Sequence, residues 1–114
     1  MDFEIVIIGM GVVGLATAKS LEEKSNNICI IDKNSNFGLE TSSRNSEVIH
    51  SGLYYPKGSK KERYCSIGRE LLYSFCEENK VWYNNIGKII VAQKNQKNDL
   101  LKLYDNAKKN NVPN

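Results

Sequence analysis

Apolar residues gather in short blocks along this chain. Ile5-Val6-Ile7-Ile8 is one unbroken run and Ile28-Cys29-Ile30-Ile31 is another. Blocks this short, flanked by turn-forming or polar residues, predict buried strands of a parallel sheet. A glycine turn and a helix-forming stretch lie between them, so residues 5–32 predict a strand–helix–strand unit. After Asp32 the pattern stops: residues 33–46, KNSNFGLETSSRNS, hold only Phe37 and Leu39 as large apolar side chains. A polar stretch of that length inside a compact domain is more often functional than idle. A short apolar segment, EVIHSGLYY, follows, ended by Pro56 and Gly58.

Further on, Ser59-Lys60-Lys61-Glu62 has capping-box spacing, with Ser59 as N-cap and Glu62 reaching back to it. The helix it opens carries Tyr64, Cys65, Gly68, Leu71, Leu72, Phe75 and Cys76 on one face, a stripe expected to pack into a core. Residues 86–92, IGKIIVA, predict another strand. Asp99 to Lys109 predicts an amphipathic helix with Leu100, Leu103, Tyr104 and Ala107 in register. The last residues, 111–114, are expected to be a connector toward a further element.

Chemistry first enters at the glycines. Gly9, Gly11 and Gly14 have the spacing G-x-G-x-x-G directly after a strand and at the start of a helix. The first permits a tight turn, the second lets backbone approach a pyrophosphate, and the third brings helix close to strand. The helix N-terminus presents unpaired N–H groups and a partial positive charge to phosphate oxygens. Asp32 closes the second strand 18 residues after Gly14, where an acid accepts from a ribose 2′-hydroxyl. An acid there argues against a phosphorylated ribose, but it does not separate NAD from FAD. Thr41, Ser42, Ser43, Arg44, Asn45 and Ser46 are six successive hydrogen-bonding side chains. Placed over the carboxyl ends of the strands, they suit the rest of a dinucleotide, with Arg44 adding a fixed positive charge.

Composition narrows the alternatives. With 114 residues the chain can build one modest core, yet it is short for an oxidoreductase that must also hold a substrate. Sixteen lysines and arginines against 13 acids give a net charge of only +3, too mild to imply nucleic acid. The basic stretch from Lys57 to Arg63 reads as a solvated helix start. Three cysteines without a C-x-x-C and a single histidine, His50, make a disulfide framework or a metal site unexpected. No apolar stretch has the length of a transmembrane span. Asp2 and Glu4 occupy the region a signal peptide would make positive, so the expected location is the cytoplasm, with room for peripheral contact with the inner membrane.

The combination GMGVVG…IIDK…TSSRNSEVIHSGLYYPKGSKKERYCSIG resembles the FAD-dependent oxidoreductases of the D-amino-acid oxidase superfamily. Within it, VIHSGLYY followed by a Pro-Lys-Gly-Ser turn and a basic cysteine-containing helix is most similar to the L-2-hydroxyglutarate dehydrogenase (oxidase) family. The resemblance implies an α/β fold: a Rossmann-like FAD/NAD(P)-binding domain. This domain would be incomplete, lacking the substrate domain and a C-terminal flavin-binding segment. Residues 1–114 would be the N-terminal part of that domain, with 86–114 leading toward the substrate domain. An enzyme of this kind would be roughly three times as long.

By the same resemblance, Gly9, Gly11, Val12, Val13 and Gly14 would meet the FAD pyrophosphate, and Asp32 with Lys33 would hold the adenosine ribose. Residues 41–46 would wrap the pyrophosphate and ribityl chain, and the 48–52 strand would run beside the flavin ring. His50 would be the imidazole nearest the redox centre, although a lone histidine in an apolar strand is more often a packed, hydrogen-bonded residue. The implied reaction oxidises a 2-hydroxy acid such as L-2-hydroxyglutarate to the 2-oxo acid by hydride transfer to noncovalently bound FAD. Oxygen or a quinone would be the electron acceptor. Amino acids, amines or glycerol phosphate are alternative substrates of relatives, and a non-catalytic truncated nucleotide-binding fragment is the alternative of another class.

Overall fold

A computed structural model describes residues 2–113. The chain divides into two compact units, one running to Val48 and the other from Ile49.

In the first unit, β1 (Ile5–Ile8) pairs in parallel with β2 (Ile28–Ile31), with Ile5 opposite Ile28 and Ile8 opposite Ile31. The ladder continues past both ends: the N–H groups of Glu4 and Ile5 donate to the Asn27 carbonyl, and Gly9 N–H donates to Ile31 at 2.7 Å. A parallel pair needs a crossover, and α1 (Val12–Leu21) supplies it, packing on both strands. The expected strand–helix–strand unit is therefore present. The strands, however, are not buried on both faces. Ile5 and Ile7 are half-buried, whereas Val6 and Ile8 are exposed, Ile8 by 84%. Side chains alternate across a strand, and in this unit α1 covers one face of the pair.

The second unit is built on α2 (Lys60–Glu78) and α3 (Lys97–Lys109). The hydroxyl of Ser59 accepts from Glu62 N–H at 3.2 Å, as the capping pattern predicts. Glu62 does not complete the box, because Ser59 N–H already donates to the Pro56 carbonyl. Its buried carboxylate instead accepts from Gly58 N–H at 3.1 Å and from Lys57 Nζ at 3.3 Å.

Two predicted strands are absent. Residues 48–52 and 86–92 run as irregular chain, and Ile86, Ile89 and Val91 are all more than 80% exposed. A strand has no stability without a neighbour to pair with, and none is formed beside either segment among the described residues. The α2 stripe is consequently open. Cys76 is buried, but Tyr64 and Leu71 are about two-thirds exposed.

What holds the second unit together is polar. Asn106 Nδ2 donates to the carbonyls of Leu53 (2.8 Å) and Tyr55 (3.0 Å). Asn110 Nδ2, one helical turn on, donates to Gly52 (2.9 Å) and Tyr55 (2.8 Å). The turn at 52–55 is thereby fixed to α3. On its other side, a Cβ at Gly52 would come within 3.2 Å of Ser66 Oγ on α2. Gly52 also has φ +85°, a conformation that suits glycine.

Candidate dinucleotide site

The site begins with a contact that only glycine allows. A Cβ on Gly14 would lie 1.9 Å from the Gly9 carbonyl oxygen, a forbidden overlap with rigid backbone. Gly14 is therefore the position at which α1 closes onto the end of β1. Gly9 itself has φ +108°, which turns the chain sharply out of the strand. Gly11 is the N-cap of α1 and has no side chain to satisfy the first N–H groups of the helix. Ser42 does so from 30 residues away, its Oγ accepting from Val12 N–H at 2.9 Å. A Cβ on Gly11 would crowd that same hydroxyl at 3.1 Å. Val13 and Gly14 occupy the next two positions of the first turn, whose N–H groups have no helical partner.

Asp32 closes β2 and faces the glycine turn. Its Oδ2 accepts from Met10 N–H at 2.7 Å and its Oδ1 from Asn34 N–H at 2.8 Å. These two donors, Met10 foremost, hold the carboxyl below its usual pKa, so it is a carboxylate at neutral pH. Each oxygen keeps a lone pair for a further donor. Lys33 is committed elsewhere: its ammonium pairs with Glu40 at 2.9 Å, which raises the lysine pKa and lowers that of the acid.

The polar loop docks on the turn as its composition suggests. Gly38 N–H donates to the Met10 carbonyl at 2.9 Å, and Thr41–Ser43 form a single 3-10 turn beside the helix start. Several of the six polar side chains are spent on the loop itself. Ser43 Oγ donates to the Glu40 carbonyl, Arg44 Nη1 to that of Leu39 (3.1 Å), and Asn45 Nδ2 to that of Ser42 (2.6 Å). Thr41 and Ser46 are exposed. Gly9, Gly11, Val12, Val13, Gly14, Asp32 and Ser42 are thus brought together, while Lys33 and Arg44 are turned to local partners. Met10 and Gly38 join the site through backbone alone, so no side-chain pattern marks them. His50 lies in the second unit, exposed and in irregular chain, without the expected strand around it.

Residues 4–114 match the family of FAD dependent oxidoreductases called DAO. The chain belongs to that family. FAD is accordingly its cofactor class, as the resemblance implied. The residues fit such a group, since the N–H groups of Val13 and Gly14 in the first turn of α1 have no helical partner and the Asp32 carboxylate retains acceptor capacity. The chain is 52% identical over 89 residues to the mitochondrial L-2-hydroxyglutarate dehydrogenase of Arabidopsis thaliana, covering 78% of this chain and 18% of that protein. It is 40% identical over 115 residues to the protein of the same name from Dictyostelium discoideum, covering 98% and 26%. The human mitochondrial L-2-hydroxyglutarate dehydrogenase is 39% identical over 115 residues, covering 98% and 25%. The chain therefore spans about a quarter or less of these relatives, rather than a third. The cytoplasmic location expected from the first residues is overturned. These relatives are named mitochondrial, which points to mitochondria. No helix among the described residues is long and apolar enough to cross a membrane.

Proposed function

We propose that this chain supplies the dinucleotide-holding portion of an FAD-dependent enzyme that oxidises L-2-hydroxyglutarate, or a closely similar 2-hydroxy acid, to the 2-oxo acid. The observation that carries this reading is 40% identity over 98% of the chain to a protein named for that activity, on a chain whose glycine turn has the required geometry. FAD, when bound, supplies the hydride acceptor. The residues of this chain bind and orient. Gly9 and Gly14 bring the helix start to the strand end, and the N–H groups of Val13 and Gly14 face the pyrophosphate. Ser42 adds its hydroxyl at the same point. Asp32 accepts from the adenosine ribose while its other bonds keep it from turning away. His50 is the candidate to take the substrate hydroxyl proton, an imidazole being suited to that exchange near neutral pH.

A chimera tests the reading. Residues 1–114 replace the aligned segment of the Dictyostelium discoideum relative, and flavin content and oxidation of L-2-hydroxyglutarate are measured. The chimera is expected to keep both. A folded chimera that carries no flavin overturns the cofactor assignment, and one that carries flavin but oxidises only amino acids or glycerol phosphate overturns the substrate. In the active chimera, His50→Gln is expected to lower kcat with little change in KM.

A further inference from the structure

The stretch that carries His50 has no hydrogen bonding of its own. Residues 48–51 make no hydrogen bond among the described residues, and His50 is exposed. The first fixed point after it is Gly52, and the groups that fix it come from far along the chain. Asn110 Nδ2 donates to the carbonyls of Gly52 and Tyr55, and Asn106 Nδ2 to those of Leu53 and Tyr55, across 51 to 58 residues of sequence. Tyr55 N–H closes the turn on the Gly52 carbonyl at 3.2 Å.

These bonds do more than attach a helix. No apolar side chain of α3 is buried, so the helix does not lie here to fill a core. Its polar contacts go to one four-residue turn, and Asn110 is only 3% exposed in making them. Each carboxamide uses its two N–H groups on two carbonyls, which sets the direction of the peptide planes as well as their distance. Gly52, at φ +85°, gives the turn a shape that other residues rarely adopt. His50 hangs two residues from this anchor. Two extended residues sweep about 7 Å. A general base must lie within about 3 Å of the proton it takes. Whether the turn is held or free therefore decides whether an imidazole at position 50 stays in range.

We propose that Asn106 and Asn110 are positioning residues for the oxidation: through the turn at 52–55 they hold His50 where it takes the proton of the substrate hydroxyl. In that reaction the imidazole gains the hydroxyl proton, while the hydrogen on the same carbon leaves with its electron pair for FAD. The inference rests on the role given to His50 above.

Two measurements test it. In the full chain, the order parameter of the His50 amide from 15N relaxation is expected to fall from about 0.85, the value of ordered backbone, to below about 0.6 in Asn106→Ala. Asp105→Asn, an exposed change on the same helix, is expected to leave it alone. In the active chimera, turnover per bound flavin is expected to fall about 10²-fold in His50→Gln and about tenfold in Asn106→Ala, with KM little changed. The double variant is expected to be no slower than His50→Gln alone, because nothing is left to position. Asn106→Gln, which keeps both donors on a longer arm, is expected to recover part of the loss. If Asn106→Ala does not retain flavin, Asn106→Ser, a milder truncation, takes its place in the same cycle. An unchanged order parameter in folded Asn106→Ala, or losses that multiply to about 10³-fold in the double variant, would overturn the positioning role and leave that of His50 standing. Full turnover by His50→Gln would overturn the reading of His50 and this inference with it.

Discussion

Gly14 carries the tightest constraint in the chain. A methyl group there has no direction in which to yield, because the atom it meets is the Gly9 carbonyl oxygen. Gly14→Ala is expected to cost about 3 kcal/mol or more, the upper range for overpacking, and to abolish FAD retention. Urea denaturation followed by circular dichroism, with flavin content of the chimera alongside, measures both effects. Asp32 makes a prediction about pH. Its folded-state pKa is lowered by the N–H groups of Met10 and Asn34, so its contribution to stability is fully present above the ordinary carboxylate range. That contribution fades as the pH falls through the lowered folded value. Asp32→Asn should therefore flatten the acid side of the stability profile while lowering stability at neutral pH. Equal slopes below pH 4 for both proteins would contradict this. The glycine spacing and the acid were legible in the sequence, because each has a local reason to be where it is. The commitment of Lys33 to Glu40 was not, since a surface ion pair depends on how the loop folds back.

At the scale of elements, the helix start and the asparagine pair show two ways in which distant residues replace local signals. Helix α1 has no cap of its own and takes one from Ser42. Ser42→Ala is expected to cost about 1 kcal/mol, the usual worth of an N-cap, and to loosen the polar loop as well as the helix. Amide exchange at Val12 and across residues 38–46 should both quicken; if only Val12 responds, the loop is held by other bonds. On α3, apolar periodicity located the helix to within two residues but gave no hint that Asn106 and Asn110 make its tertiary contacts. Their i, i+4 spacing is the only trace they leave in the sequence. Asn106→Ala should destabilise by about 1–3 kcal/mol, because the carbonyls of Leu53 and Tyr55 lose a shared donor. Asn106→Leu, which restores apolar bulk on that face without the donor, should be no better.

For the whole molecule, the notable feature is how little apolar surface is covered. One hydrophobic residue, Cys76, is buried among the described residues. The sequence blocks at 5–8, 28–31 and 86–92 have the apolar density of strands inside a larger sheet, but only the first two pair with each other. Strand identity at 48–52 and 86–92 was misread for this reason: apolar composition signals the need for burial, and pairing also requires a partner strand. The exposed edges and faces predict self-association that grows with protein concentration and falls with mild urea, measurable by light scattering. A monomer that stays monodisperse at high concentration would show that these surfaces are better protected than their exposure indicates.

The remote cap on α1 also bears on how the chain is made. During synthesis the glycine turn and its helix emerge well before Ser42, which follows Val12 by 30 residues. Until then the first turn has an unmet donor and Met10 has no Gly38 to hold. The start of α1 thus stays unfinished on the ribosome until the polar loop has left the exit tunnel. A pause placed in the codons after residue 46 would give that end time to close before the exposed apolar segments arrive.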